Sequence, residues 1–191
     1  MSDSQQKWDQ RYRAEVAVYP EPALVITQNQ HLLPEQGLAL DLACGLGANA
    51  LLMASRGLQT QAWDISSEAL AKLNAEAQQR QLEVITEQRD VSVNPPDKSS
   101  FDVVVVSQFL DRKLCPKLIN ALKPGGLIFY QTFCRDKVDS AGPQNPDFLL
   151  VDNELLNLFS GLKLRVYREE STLGDSSVGW RNMAMLVGQK S

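Results

Sequence analysis

The chain is poor in the residues that mark specialised chemistry. Its 191 residues hold three cysteines (Cys44, Cys115, Cys134) and one histidine, His31. An odd, widely spaced cysteine set makes neither a disulfide framework nor a zinc site, and it suits a reducing compartment. No metal site is expected. No apolar run is long enough to span a bilayer, no Gly/Ser linker divides the chain, and no segment repeats. The opening stretch MSDSQQKWDQRYR is polar, unlike a signal peptide, so the expected location is the cytoplasm. A dense basic run is also missing, and the formal net charge is -4. Phosphate backbones need a concentrated basic surface, so neither nucleic acid nor membrane is an expected partner. The scattered Arg112, Lys113, Lys117 and Lys123 read as one solvated helix face.

What is present is an alternation of strand and helix patterns. Ser4 to His31 predicts two short helices broken around Tyr19-Pro20-Glu21-Pro22. Strands are predicted over Gly37–Leu42, Thr60–Asp64, Leu82–Thr86, Phe101–Val106 and Leu127–Phe133. Helices are predicted over Ala48–Arg56, from the caps Ser66 and Ser67 to Arg80, over Arg112–Leu122, and from a cap at Asp152 to Phe159. Pro124-Gly125-Gly126 reads as a turn. Leu162–Arg168 and Asn182–Gly188 have no helix between them and suit an antiparallel edge pair. The expected fold is therefore α/β: a Rossmann-like three-layer sandwich around a mostly parallel, seven-stranded sheet. One domain is expected, with residues 1–36 as a helical lid and 37–191 as the core.

The loop after the first strand reads LDLACGLGANA. Gly45, Gly47 and Ala50 satisfy G-x-G-x-x-(G/A), a pattern shared by several nucleotide-binding folds. Small residues let the backbone turn tightly against a ligand, and the next helix presents free N–H groups. Asp64 ends the second strand, where a carboxylate can accept both ribose hydroxyls of a nucleoside. Asp90 follows the third strand and can accept from an adenine amino group, while Val91 offers its backbone N–H. As structural alternatives, Asp64 is a charge at the next helix's N-terminus and Asp90 a loop turn. Trp8, Arg11 and Tyr12 stand at i, i+3 and i+4, one helical face. That face suits a lid over a ligand, or simply docks a terminal helix.

In order and spacing, these segments resemble the class I S-adenosylmethionine-dependent methyltransferases: LDLACGLG (40–47), AWDIS (62–66), RDV (89–91), FDVVVVSQ (101–108) and LKPGGLIFYQTF (122–133). The acidic Asp41 before the glycine loop is the most specific element. Within the class, Trp8-Asp9-x-Arg11-Tyr12, Asn49, Ala62-Trp63-Asp64 and the closing MAMLVGQK are similar to the TehB-like and thiopurine-methyltransferase-like branch. The stretch between Glu169 and Arg181 departs from TehB. The resemblance implies S-adenosylmethionine as cofactor and a small-molecule acceptor. The methionine part is held by the region after the first strand, where Asp41, Ala43, Gly45, Gly47 and Asn49 lie. Asp64, Ile65, Asp90, Val91 and Ser107 complete the cofactor set, with Trp8 and Arg11 from the lid.

Asn94-Pro95-Pro96-Asp97 is similar to the (N/D)PP(aromatic) motif of enzymes that methylate base amino groups, but it precedes the fourth strand and reads as a turn. The expected position, Ser107-Gln108-Phe109, has no proline. His31 reads as structural or exposed, and Cys134 as a buried thiol. No general base stands at a motif position, so the expected acceptor is intrinsically nucleophilic and transfer is an in-line displacement. Two other readings compete: a non-catalytic regulatory module that binds S-adenosyl ligands, and an NAD(P)-dependent reductase.

Overall fold

A computed structural model describes residues 3–14 and 19–191. Seven strands form one sheet: β1 (Leu38–Leu42), β2 (Gln59–Asp64), β3 (Val84–Gln88), β4 (Phe101–Ser107), β5 (Leu122–Phe133), β6 (Lys163–Glu169) and β7 (Met183–Gln189). Their order is β3-β2-β1-β4-β5-β7-β6. β1 to β5 pair in parallel, and β7 runs antiparallel to both neighbours. The helices are α1 (Asp3–Ala14), α2 (Leu24–Thr27), α3 (Ala48–Ser55), α4 (Ser67–Gln79), α5 (Cys115–Ala121) and α6 (Glu154–Leu158). Among the described residues, no helix is long and apolar enough to cross a membrane.

The sandwich follows from the strand sequences. Val103 to Val106 are all fully buried, but they serve opposite faces. Val104 and Val106 pack with Leu118, Leu122 and Leu155 under α5 and α6. Val103 and Val105 pack with Met53, Val25 and Ile26 under α3 and α2. A strand covered on both sides needs apolar residues at every position.

Four expectations are corrected. β3 begins at Val84 rather than Leu82, because α4 ends in a Schellman motif: Gln81 takes φ 56°, its N–H donates to Gln78 O, and Leu82 N–H donates to Ala77 O. Pro124-Gly125-Gly126 does not precede β5 but bulges from within it. Pairing passes from Phe101–Leu122 to Val103–Leu127, and the bulge is tied to Lys190 by Gly125 N–H and Gly126 O. Asp152 is not the cap of α6. Asn153 holds that place at φ 60°, and the Glu154 carboxylate accepts from Val151 N–H. The basic quartet is no single helix face: Arg112 lies before α5 and pairs with Glu154 at 2.5 Å, and Lys123 pairs with Asp102 at 2.7 Å.

The N-terminal segment forms α1, the single turn of α2 and a 3-10 turn over Gln30–Leu32. The expected break around Tyr19–Pro22 is present: those residues carry no helix. Polar bonds brace the segment internally and tie it to β5, α3 and α4. Val25 N–H donates to Gln131 Oε1 at 2.9 Å, Ala23 N–H to Asn49 Oδ1 at 2.9 Å, and Asn29 Nδ2 to Val25 O at 2.9 Å. The Tyr19 hydroxyl donates to Lys72 O on α4.

Gln131 therefore has a measurable weight. Gln131→Met keeps the volume but leaves the Val25 N–H buried without its acceptor, which costs about 1–3 kcal/mol. Urea unfolding should show a lower midpoint at an unchanged slope. An unchanged midpoint would mean that the bond contributes nothing to stability.

Candidate functional site

The sheet reverses its order between β1 and β4, and in open α/β sheets such a switch point opens a crevice outside the strand carboxyl ends. Both strands leave that edge through left-handed residues that are not glycine: Ala43 at φ 54° after β1, and Gln108 at φ 55° after β4. Such backbone is costly for an L-residue and clusters at functional sites. Gly45 and Gly47 continue the turn at φ 54° and 74°.

A buried carboxylate holds this turn from below. Asp41 is fully buried, and its Oδ2 accepts Ala50 N–H at 3.0 Å in the first turn of α3. Its Oδ1 accepts Asn49 Nδ2 at 3.3 Å, and the same amide group donates to Ser107 Oγ at 3.1 Å. With its Oδ1 on Ala23 N–H, Asn49 joins β1, β4 and the N-terminal segment. Asn49 thus braces the crevice from inside the protein. Burial pushes the Asp41 carboxyl up to about 7, against the hydrogen bonds from Asn49 and Ala50, and the nearby Asp64 adds to the rise.

Asp64 holds the turn from the side. Its Oδ2 accepts Gly45 N–H at 2.7 Å and its Oδ1 accepts Ser66 N–H at 2.9 Å. Burial also raises its carboxyl above the ordinary range, against those same bonds. Ile65 is half-buried, and its carbonyl accepts from Gln88 Nε2. Just beyond the end of β3, Asp90 accepts Ser92 N–H and Oγ, and Val91 is buried in one cluster with Trp63. Arg89 lies over the Trp63 ring at 4.0 Å.

α1 crosses above the glycine turn. A methyl group added to Gly45 would come within 2.5 Å of the Tyr12 hydroxyl, so only glycine allows this approach. Trp8 stacks on Tyr12 at 5.9 Å between centroids, and the Arg11 guanidinium lies 5.2 Å from the Trp8 ring. Arg13 pairs with Glu68 at 2.6 Å, and Lys72 Nζ donates to Tyr12 O.

Asp41, Ala43, Gly45, Gly47, Asn49, Asp64, Ile65 and Ser107 are thus gathered at the ends of β1, β2 and β4. Asp90 and Val91 follow at the end of β3, and Trp8 and Arg11 come from α1. His31 is exposed in the 3-10 turn that precedes β1, at the opposite end of the sheet. Cys134 is buried and its thiol is pushed up to about 12 by burial. Asn94–Asp97 is a loop between β3 and β4. Among the described residues, no group of three His, Cys, Asp or Glu side chains could hold a metal. Sequence reading missed Gln108, Gln131 and the buried Asp9, whose partner Ser66 lies 57 residues away.

Residues 39–126 match the model of a methyltransferase domain family. The chain is 28% identical over 137 residues to the probable S-adenosyl-L-methionine-dependent methyltransferase TehB of Haemophilus influenzae, covering 68% of this chain and 47% of that protein. It is 36% identical over 106 residues to the ubiquinone biosynthesis O-methyltransferase of Idiomarina loihiensis, covering 51% of this chain and 42% of that protein. The chain spans about half the length of the curated relatives it matches. The crystal structure of Haemophilus influenzae TehB superposes with a TM-score of 0.70 at 19% identity, over 98% of this chain and 67% of that one. Geranyl diphosphate C-methyltransferase from Streptomyces coelicolor, solved with Mg2+, geranyl diphosphate and S-adenosyl-L-homocysteine, superposes with a TM-score of 0.73 at 14% identity, over 100% and 98%. At such identities the likeness is one of fold.

Asp41 makes stability depend on pH in a defined direction. Its folded value near 7 lies above the ordinary 3.8, so the native state holds the proton more tightly. This contribution is complete below about pH 4 and is lost as pH rises towards 7. Between pH 5 and 7.5 the loss should be about 2–3 kcal/mol. Asp41→Asn removes the titrating group, so urea unfolding should show a flatter stability profile across that window. Equal slopes in the two proteins would refute the assignment to Asp41.

Proposed function

We propose that the chain is a class I S-adenosylmethionine-dependent methyltransferase similar to TehB, and that it uses S-adenosylmethionine to methylate a small-molecule acceptor by in-line displacement. The observation that carries this reading is Asp64. A carboxylate offers about four lone-pair sites, and the bonds from Gly45 and Ser66 use one on each oxygen. The remaining sites suit a pair of vicinal ribose hydroxyls. The Tyr12 hydroxyl stands against Gly45, where an added methyl would meet it at 2.5 Å, so α1 is seated directly on the turn.

In this reading Asp90 and the Val91 N–H hold the adenine, with Ile65 as an apolar neighbour. The turn from Ala43 to Gly47 holds the methionine end, and Trp8 and Arg11 close over it. Asp41, Asn49 and Ser107 keep the turn in shape. When bound, the cofactor supplies a methyl group already activated on sulfonium. The protein's contribution is then alignment and exclusion of water. The only histidine lies at the far end of the sheet, and Asp41 is sealed in the interior. These placements favour an acceptor that needs no histidine base, such as a thiolate.

Calorimetry should show S-adenosylhomocysteine binding more tightly than NADH; the reverse order would sink the cofactor reading. Asp64→Ala should weaken S-adenosylhomocysteine by roughly 1.5–3 kcal/mol, the range for hydrogen bonds to a charged group. Unchanged affinity in a folded variant would remove Asp64 from the site. Transfer of labelled methyl to a panel of thiols, quinols and metalloid oxyanions tests the acceptor class.

Residues 1–36 serve as the lid of this site, and lids are drawn from the less stable parts of a fold. Amide exchange over residues 3–14 should therefore slow when S-adenosylhomocysteine is added. Equal exchange with and without it, together with unchanged affinity after removal of the residues before Ala14, would show that α1 is no lid.

A further inference from the structure

Asp9 is buried on a helix whose neighbouring positions Lys7, Gln10 and Arg13 are exposed. Its Oδ1 accepts the Ser66 hydroxyl at 2.6 Å and, more weakly, Glu68 N–H at 3.4 Å. Ser66 is fully buried and already committed on both sides. Its hydroxyl oxygen accepts Ala69 N–H at 3.3 Å as the cap of α4. With the hydroxyl proton pointed at Asp9, the side chain has no rotational freedom left. The backbone N–H of the same serine donates to Asp64 Oδ1 at 2.9 Å, and Asp64 Oδ2 receives Gly45 N–H at 2.7 Å. One unbroken path of hydrogen bonds therefore runs from α1 through the β2–α4 turn to the glycine turn.

The Asp9 and Asp64 carboxylates on this path repel each other, while the bonds from Ser66 and Glu68 and the charge of Arg13 favour the Asp9 carboxylate. The exposed Arg13–Glu68 pair already ties α1 to α4. The additional effect of Asp9 is to fix the Ser66 turn, and with it the direction in which the Asp64 carboxylate points.

We propose that Asp9 is a positioning residue: acting through Ser66, it aligns Asp64 with the ribose hydroxyls of the bound nucleoside, and so couples the docking of α1 to recognition of the sugar. This rests on the reading that Asp64 is the ribose acceptor. α1 is then more than a cover, because its seating sets the quality of a contact made by another element.

The test compares S-adenosylhomocysteine with its 2′-deoxy analogue by calorimetry on the full chain. Wild type should prefer the ribose form by about tenfold, the worth of one hydrogen bond to a charged acceptor. Asp9→Asn should bring the ratio below about threefold, because a misaligned Asp64 loses the sugar contact rather than overall affinity. Arg13→Ala removes the exposed pair with Glu68 and a nearby positive charge but leaves the Asp9–Ser66 bond in place, so it should weaken both ligands alike and keep the ratio. Ser66→Ala breaks the path at its middle and should lower the ratio as Asp9→Asn does, which gives a second reading if one variant fails to fold. A ratio unchanged in Asp9→Asn or Ser66→Ala would reduce Asp9 to a docking contact and overturn the proposal. A wild type that binds S-adenosylhomocysteine without preferring the ribose form would overturn the ribose assignment of Asp64, and the proposal with it.

Discussion

The site depends on one buried carboxylate. Asp41 sits at the end of β1 with no exposure to solvent, held by a backbone N–H of α3 and by the Asn49 amide. Burying that group is unfavourable for its charged form, and the elevated carboxyl pKa is the mark of it. In return, the strand end, the first turn of α3 and, through Asn49, the end of β4 are fixed to one another. Without that knot the left-handed turn at Ala43 and Gly45 would have no fixed origin.

The N-terminal segment is joined to the core by polar contacts as well as by the apolar packing of Val25 and Ile26. Ala23 reaches Asn49, Val25 reaches Gln131, and Asp9 reaches Ser66. Polar contacts of this kind demand particular geometry, and leaving a buried partner unsatisfied is costly. The segment therefore has a defined seat over the crevice, although α2 is a single turn.

Much of this was legible in the residues. The run from Phe101 to Val106 announces a strand buried on both faces. The glycine pattern announces a tight turn after β1 with Asp64 beside it, and the missing helix before β7 announces the antiparallel edge. The illegible parts are those where a distant partner decides. Ser66 lies 57 residues from Asp9, and no local period in α1 reveals it. The Pro124-Gly125-Gly126 bulge is held by Lys190, almost at the other end of the chain. Gln81 closes α4 in a conformation that sequence reading reserves for glycine, which is why β3 starts late. Asp152 has the composition of a cap, but the chain turns at Asn153 instead.

The paired left-handed exits at Ala43 and Gln108 carry an evolutionary consequence. The opening between β1 and β4 is shaped by main chain, with Asp41 and Asn49 beneath it, so its outline does not rely on the residues that project into it. Gln108 is exposed at its rim, and the loop between β6 and β7 lies at the same end of the sheet. Substitutions there alter what is admitted without disturbing the frame that admits it. Such a division places the frame and the residues at its rim under separate constraints.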